Sequence, residues 1–356
     1  MQQIIETDSY ADALREVLSI DESLYVVCSK RERERLLLDL KGYSITFFHG
    51  YSPNPKYEEI MEGVELFKQG EYETIVALGG GSALDVAKCI KLFQEASKED
   101  FLNNKFVENR TRLIAIPTTA GTGSESTAIA VIYYEGEKYS VAHASALPRI
   151  AILDGGLLQT LPEYHKKSAM ADALCQAIES YWSKGATAES KHYAEESISL
   201  ILEYGEKYLS GTKEGAVKIL KAANYSGKAI HISRTTAAHA MSYKLTTRYG
   251  ISHGHAVALC MQYCWKNLLQ HATTQEGLSA CLCELAKVMC WDSIESSVHL
   301  YEKLFATWNF PTIEIPMEDM KLLVSSVNVE RLGNHPVALT EEDLSAIYTK
   351  IRLHQS

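Results

Sequence analysis

The sequence predicts a chain in two parts: an α/β domain with a doubly wound parallel sheet over residues 1–158, then an all-helical domain over 159–356. Three observations carry this expectation. At 356 residues the chain exceeds what one ordinary hydrophobic core accommodates. Its first part alternates short β-rich runs with amphipathic stretches, and three of those runs are near-continuous apolar strings, as a parallel sheet covered on both faces requires. From about residue 162 long segments rich in Ala, Leu, Glu and Lys take over, and β-branched runs nearly vanish.

Taken in order, LYVVCS (24–29), YSITFFHG (43–50), ETIVALGGGS (73–82) and RLIAIPTT (112–119) read as strands. Amphipathic helices fall between them, over roughly 30–40, 56–69 and 83–95. AVIYYEGEKYSVAH (130–143) reads as a hairpin turning at Glu135–Gly136, and IAILD (150–154) as a further strand.

Composition excludes several functions. The net charge is −10 and the pI about 5.7, so no basic surplus exists to neutralise a nucleic-acid backbone. An anionic substrate would have to be held by a few local cations. No apolar run approaches the ~20 residues of a membrane helix. The first residues, MQQIIETDSYADALREV, lack the basic start and apolar core of a signal peptide. The 8 cysteines are scattered and form no CxxC pair, so a reduced cytoplasmic protein is expected.

A strand running into Gly79-Gly80-Gly81-Ser82 and then a helix is a phosphate-cradle arrangement, because backbone without side chains can approach a pyrophosphate and helix-start N–H groups point at it. Ser82 and Asp85 also have capping-box spacing. The string is neither GxGxxG nor GxxxxGK[ST], so a tight structural turn stands as the alternative. A second glycine- and hydroxyl-rich turn, Pro117 to Glu125, contains Thr118, Thr119, Thr122 and Ser124 and follows the next long strand. Two such turns at strand carboxyl ends favour a nucleotide crevice.

In the helical part, SAMADALCQAIESYW (168–182) places Asp172, Gln176 and Glu179 on one stripe of a helix that is otherwise mostly apolar or small. The segment 235–259 adds His239, His253 and His255 in apolar surroundings. One such histidine is ordinarily a core or capping residue. Two imidazoles beside a carboxylate instead suit Zn2+ or Fe2+, and three protein ligands leave a position for a substrate oxygen. Such a metal could polarise a carbonyl or stabilise an alkoxide.

GGGSALDVAK, PTTAGTGSE, DALCQAIES and HGHAVAL, in this order over nearly the whole chain, resemble the iron-containing (group III) alcohol dehydrogenase family. The resemblance implies the dehydroquinate synthase-like architecture, a metal-dependent NAD(P)H alcohol dehydrogenase or aldehyde reductase, a homo-oligomer such as a dimer, and one divalent metal, Fe2+ or Zn2+. It implies Asp172, His239 and His253 as metal ligands. Where the family usually has histidine one turn after the aspartate, this chain has Gln176, read as a weak amide-oxygen ligand or a group behind the ligands. Tyr243 and Lys244 replace a common histidine and proline. Tyr243, His255 or a water on the metal could then serve the proton.

The same resemblance implies that Gly79, Gly80, Gly81, Ser82, Asp85, Thr118, Thr119, Thr122, Ser124 and Lys138 attend the dinucleotide. Ser29 stands where NAD-preferring members carry an aspartate, with Lys30 and Arg31 beside it, which favours NADPH and leaves NADH open. The strings ALCQAIESYWS, RTTAAHAMSYKLT and YGISHGHAVAL look most like the phosphonoacetaldehyde reductase branch, which forms 2-hydroxyethylphosphonate. A dianionic substrate would need cations, and Arg234, Lys244, Arg248 and His255 are the candidates. The alternatives are another small-aldehyde or polyol dehydrogenase of the lactaldehyde reductase or glycerol dehydrogenase type, a related lyase, and a metal-free nucleotide-binding protein.

Overall fold

The structure, a computed structural model, describes residues 2–355. The chain divides into two compact units, Met1–Thr160 and Leu161–Ser356.

In the first unit β1 (Gln3–Thr7), α1 (Tyr10–Val17), β2 (Ser23–Cys28), α2 (Lys30–Asp39), β3 (Ser44–Phe48), α3 (Tyr57–Lys68), β4 (Thr74–Gly79), α4 (Gly81–Leu92), α5 (Lys98–Leu102) and β5 (Arg112–Pro117) follow one another. The hairpin β6 (Ile129–Tyr134) and β7 (Glu137–Ala142) and the strand β8 (Ile150–Asp154) complete it. Six strands form one parallel sheet in the order β1-β8-β5-β4-β2-β3. Alternate side chains feed two separate cores. Tyr25, Val27, Ile75 and Ala77 pack with Ile60 and Val64 of α3 and Leu84 and Ala87 of α4. Leu24, Val26, Cys28, Val76 and Leu78 pack with Leu14 of α1 and Leu36 of α2 on the other face. Burial on both faces is why these strands read as unbroken apolar runs rather than alternating ones.

The hairpin turns where expected. Glu135 (φ 52°) and Gly136 (φ 81°) are both left-handed, the geometry that a two-residue turn between twisted strands demands. β4 ends at Gly79 and α4 starts at Gly81 with Gly80 as its cap, so Ser82 lies inside the first turn and makes no capping box with Asp85. The β1 strand and α1 helix were not anticipated. Strand β1 pairs with β8 alone, and its five residues are exposed or half-buried, so no long apolar run announces it.

The second unit is helical throughout: α6 (Glu163–Trp182), α7 (Ala188–Leu209), α8 (Lys213–Ser233), α9 (Ala237–Tyr249), α10 (His253–Ala272), α11 (Glu276–Val288), α12 (Ile294–Trp308), α13 (Met320–Ser325), α14 (Val329–Gly333) and α15 (Glu341–Gln355). Residues 170–183 are all buried, so α6 is the central helix, packed by α7, α8 and α10. Trp182 at its end meets Trp265 of α10 edge-on at 5.2 Å. A helix buried on every side must be apolar or small all round, and its few polar residues need partners. That requirement singles out Asp172, Gln176 and Glu179. No helix among the described residues is long and apolar enough to cross a membrane.

Candidate active site

Both glycine turns of the first unit sit at strand carboxyl ends. Because β2 leads to β3 on one side and β4 leads to β5 on the other, the topology reverses between β2 and β4, where open α/β sheets carry their crevice. Ser29 follows β2 there, and Gly79–Ser82 follow β4. The glycines keep this junction tight. A Cβ on Gly81 would lie 2.9 Å from Thr122 Cγ2, one on Gly80 3.2 Å from Thr119 Cγ2, and one on Gly79 2.6 Å from Ala83 Cβ. Gly123 is left-handed at φ 58°. The N–H of Thr118 donates to Gly79 O at 2.9 Å, locking the two turns together. Thr118, Thr119 and Thr122 are half-buried along this junction.

Asp85 and Ser124 lie behind it. Asp85 accepts from Ser124 Oγ at 2.7 Å and from Val131 N at 3.0 Å. The fully buried Lys88 donates to Ser124 Oγ (2.7 Å), Thr127 Oγ1 (3.0 Å) and Ile129 O (2.7 Å). Burial pushes the Lys88 pKa down to about 8 despite Asp85. This network fastens α4 to the second turn and to β6, with Lys138 on β7 adding its charge near Asp85. Asp85 and Ser124 thus brace the crevice through these bonds. Ser29 caps α2: its hydroxyl accepts from Glu32 N at 3.3 Å and donates to Glu32 Oε2 at 2.8 Å. Lys30 and Arg31 beside it are exposed.

In the second unit α6, α9 and the first residue of α10 bring Asp172, His239 and His253 together, with one ligand atom of each within 4.8 Å of the others. Asp172 Oδ1 is 3.3 Å from His239 Nε2 and 3.9 Å from His253 Nε2. Asp172 and His239 are buried, while His253 is one-third exposed. Gly254 permits this approach. A Cβ there would sit 1.9 Å from Ser168 O and 2.8 Å from Asp172 Cβ, so only glycine lets α10 start against α6.

Gln176 and Glu179 stand behind the three ligands. Gln176 donates its amide to Asp172 Oδ2 at 3.3 Å, and its Oε1 accepts from Ser226 Oγ at 3.0 Å. Its oxygen is thus turned to α8, and Gln176 orients Asp172 rather than joining the ligands. Glu179 accepts from Thr236 N (3.1 Å), Thr236 Oγ1 (2.7 Å), Ala238 N (2.7 Å) and His239 Nδ1 (2.5 Å). It caps the start of α9 and fixes His239 in one step. Burial raises the Glu179 pKa, but His239 and these donors outweigh it, and the carboxyl stays below its ordinary range.

The remaining candidates separate. Tyr243, one turn after His239, stacks on the His253 ring (5.7 Å, 21°) and accepts a hydrogen bond from Arg331. His255 is directed elsewhere, since two helical steps turn a side chain by ~200°. Its Nδ1 shares a hydrogen bond with Tyr164 Oη at 3.1 Å, the ring stacks on Phe310 at 4.4 Å, and burial pushes its pKa down to about 4. It is a neutral packing residue without a place beside the ligands. Arg248 forms a two-point pair with Asp319 (3.0 and 3.2 Å), so its charge is already met. Lys244 is half-buried on α9. Arg234 ends α8 at φ 66° and ψ 170°, a region costing a non-glycine residue about 1–3 kcal/mol.

Two family models match the chain: iron-containing alcohol dehydrogenase over residues 2–155, and the C-terminal domain of the Fe-containing alcohol dehydrogenase family over residues 167–352. The chain belongs to the iron-containing alcohol dehydrogenase family. It is 27% identical to an NADPH-dependent butanol dehydrogenase of Clostridium saccharobutylicum over 86% of this chain and 84% of that one. It is 30% identical to a phosphonoacetaldehyde reductase of Streptomyces viridochromogenes over 53% and 51%. The structure of a sulfoacetaldehyde reductase from Bifidobacterium kashiwanohense with NAD+ superposes with a TM-score of 0.88 at 26% identity, covering 99% and 97% of the two chains.

This alcohol dehydrogenase is thus an NAD(P)-dependent, metal-containing oxidoreductase. Its residues fit the metal. A carboxylate can only accept, so Glu179 takes the Nδ1 proton of His239, and the Nε2 lone pair of the neutral ring then faces Asp172 Oδ1. Two lone pairs facing at 3.3 Å call for a positive charge between them, either a proton on Nε2 or a metal ion. Burial lowers the His239 pKa, yet Glu179 and Asp172 hold it up at about 9, so the pocket draws a proton where a metal would bind. The sequence had placed Glu179 on the stripe without assigning its partner. It gave no notice of Gly254, Lys88 or Arg331 as parts of the site.

Proposed function

We propose that this dehydrogenase reduces a small aldehyde bearing a phosphonate, with phosphonoacetaldehyde as the substrate and 2-hydroxyethylphosphonate as the product. Hydride passes from the dihydronicotinamide to the aldehyde carbon and a proton reaches the oxygen, giving the alcohol and NAD(P)+. When bound, the metal, Fe2+ or Zn2+, supplies Lewis acidity at the carbonyl oxygen. Asp172, His239 and His253 hold it, and Glu179 keeps His239 in the ligating tautomer. Tyr243, stacked on His253, keeps its proton because burial raises its pKa, so its hydroxyl is a donor at neutral pH.

The single observation that carries the reading is the convergence of Asp172 Oδ1 with the two imidazoles, an open three-ligand set. The phosphonate is supported by the likeness to a phosphonoacetaldehyde reductase and to a sulfoacetaldehyde reductase, both named for a two-carbon aldehyde with an acidic head. Gly80, Gly81 and Ser82, with Thr118, Thr119 and Thr122 across the junction, are the proposed pyrophosphate cradle. The reading extends to a homo-oligomer, which light scattering on the purified protein tests.

The test is a screen following NADPH and NADH oxidation with phosphonoacetaldehyde, lactaldehyde, dihydroxyacetone and butanal. The expected result is the highest kcat/KM with phosphonoacetaldehyde. A preference for butanal would support the second reading, a general small-aldehyde reductase, which the butanol dehydrogenase likeness favours.

A further inference from the structure

We propose that Arg234 and Arg331 together form the site that holds the tetrahedral oxyanion head of the substrate. The inference rests on the anionic-aldehyde reading above and names the residues that recognise the anion. Arg331 was not among the cations expected from the sequence.

Two chain segments bring these arginines together. Arg234 occupies the turn between α8 and α9, and the buried Nη1 of its guanidinium has no hydrogen-bond partner. Asn334, just after α14, donates its amide to Ser233 O at 2.8 Å and to Thr235 O at 3.1 Å, clasping the backbone on either side of Arg234. Arg331 lies three residues earlier on α14, whose start Asn328 caps by accepting from Arg331 N at 2.9 Å. The clasp therefore sets a second guanidinium beside the first. Burial, and then the charge of Arg331, press the Arg234 pKa below its ordinary value, against the pull of Glu330.

Several other arginines of this chain meet carboxylates. Arg112 holds Glu22 through both oxygens, and Arg248 holds Asp319. Neither Arg234 nor Arg331 makes an ion pair among the described residues. Two guanidinium groups placed side by side, with only the unpaired Glu330 carboxylate acting nearby, carry more positive charge than their surroundings offset, and partly buried cations require that offset. A phosphonate supplies it, and its oxygens match the guanidinium fork. The pair is also tied to the metal ligands: Arg331 donates to the Tyr243 hydroxyl, and the Tyr243 ring lies on His253. An aldehyde whose head is held by Arg331 is therefore held close to the ligand set.

The experiment uses the metal-loaded enzyme and its Arg331→Gln, Arg234→Gln and Arg331→Lys variants. It measures kcat/KM for phosphonoacetaldehyde and for butanal, and inhibition of butanal reduction by inorganic phosphate. Metal content and thermal unfolding establish that each variant is folded. The expected result is a fall in the phosphonoacetaldehyde-to-butanal selectivity on the order of tenfold to a hundredfold in both Gln variants. Arg331→Lys should fall between, because it keeps the charge without the fork. Phosphate should compete in the wild type and not in the Gln variants. If the wild type fails on phosphonoacetaldehyde but phosphate competes and Arg331→Gln abolishes it, the substrate reading falls and the anion site stands. Selectivity and phosphate inhibition both unchanged in the Gln variants would overturn the proposal.

Discussion

Glu179 accepts the Nδ1 proton of His239 at 2.5 Å while its other bonds cap the first turn of α9. One carboxylate thus sets both the position of the helix and the tautomer of the ligand it carries. Groups behind a ligand of this kind commonly affect metal affinity by about 10–100-fold. Glu179→Gln should therefore weaken metal binding by about that factor, read by competition with a chelator, while Asp172 and His253 stay in place. Unaltered affinity in a folded Glu179→Gln protein would show that His239 needs no such partner.

Gly254 makes a sharper demand. An added Cβ would meet Ser168 O at 1.9 Å, and backbone on a buried helix cannot yield by rotation. Gly254→Ala should displace the start of α10, lower stability by about 1–3 kcal/mol and release the metal, since His253 is the first residue of that helix. Thermal unfolding and metal content should fall together. A variant that keeps its metal would mean that the helix start tolerates a shift.

The proposed preference for NADPH rests on Ser29 and its neighbour Glu32. Ser29 removes the carboxylate that would repel a 2′-phosphate, but its hydroxyl holds Glu32 Oε2 at 2.8 Å, which returns a carboxylate to the neighbourhood. Exposed charge contacts contribute about 0.5–1 kcal/mol, so Glu32→Gln should raise the NADPH-to-NADH ratio of kcat/KM about 2–5-fold, and less at high salt. A ratio that does not move would remove Glu32 from the cofactor site.

The pH dependence of stability has a marker in His335. His335 is fully buried, both ring nitrogens lack partners, and burial pushes its pKa from 6.5 to about 4, with Glu179 opposing and Lys184 and His271 assisting. The unfolded chain therefore binds the extra proton between pH 6.5 and 4, and stability is lost as pH falls through that window, by about 2 kcal/mol at pH 5. His335→Phe should flatten the fall in melting temperature between pH 7 and pH 5. An equal fall in the variant would contradict the assignment.

Much of this arrangement was legible in the residues. Strands β2, β4 and β5 show as apolar runs because both their faces are buried, and Glu135–Gly136 marks its hairpin by turn chemistry alone. Asp172, His239 and His253 stand out because polar residues in buried helices need a reason. What stayed hidden depends on neighbours distant in sequence. Glu179 meets Thr236 and His239 across 57 and 60 residues, so its role could not be read from its own helix. Asp85 has the spacing of a capping box, but the chain gives the cap to Gly80 and turns Asp85 toward Ser124 and Val131. Arg331 lies in a five-residue helix with no buried residue and no periodicity to mark it.

Asp172, His239 and His253 are proposed to hold one catalytic metal ion. The direct measurement is elemental analysis of freshly purified protein beside His253→Ala, with activity followed on re-addition of Fe2+ or Zn2+. The expected result is about one ion per chain in the wild type, as a single three-ligand site binds, and loss of both metal and activity in a folded His253→Ala protein. Full activity in wild-type protein stripped of metal, or a His253→Ala variant that retains its ion, would contradict it.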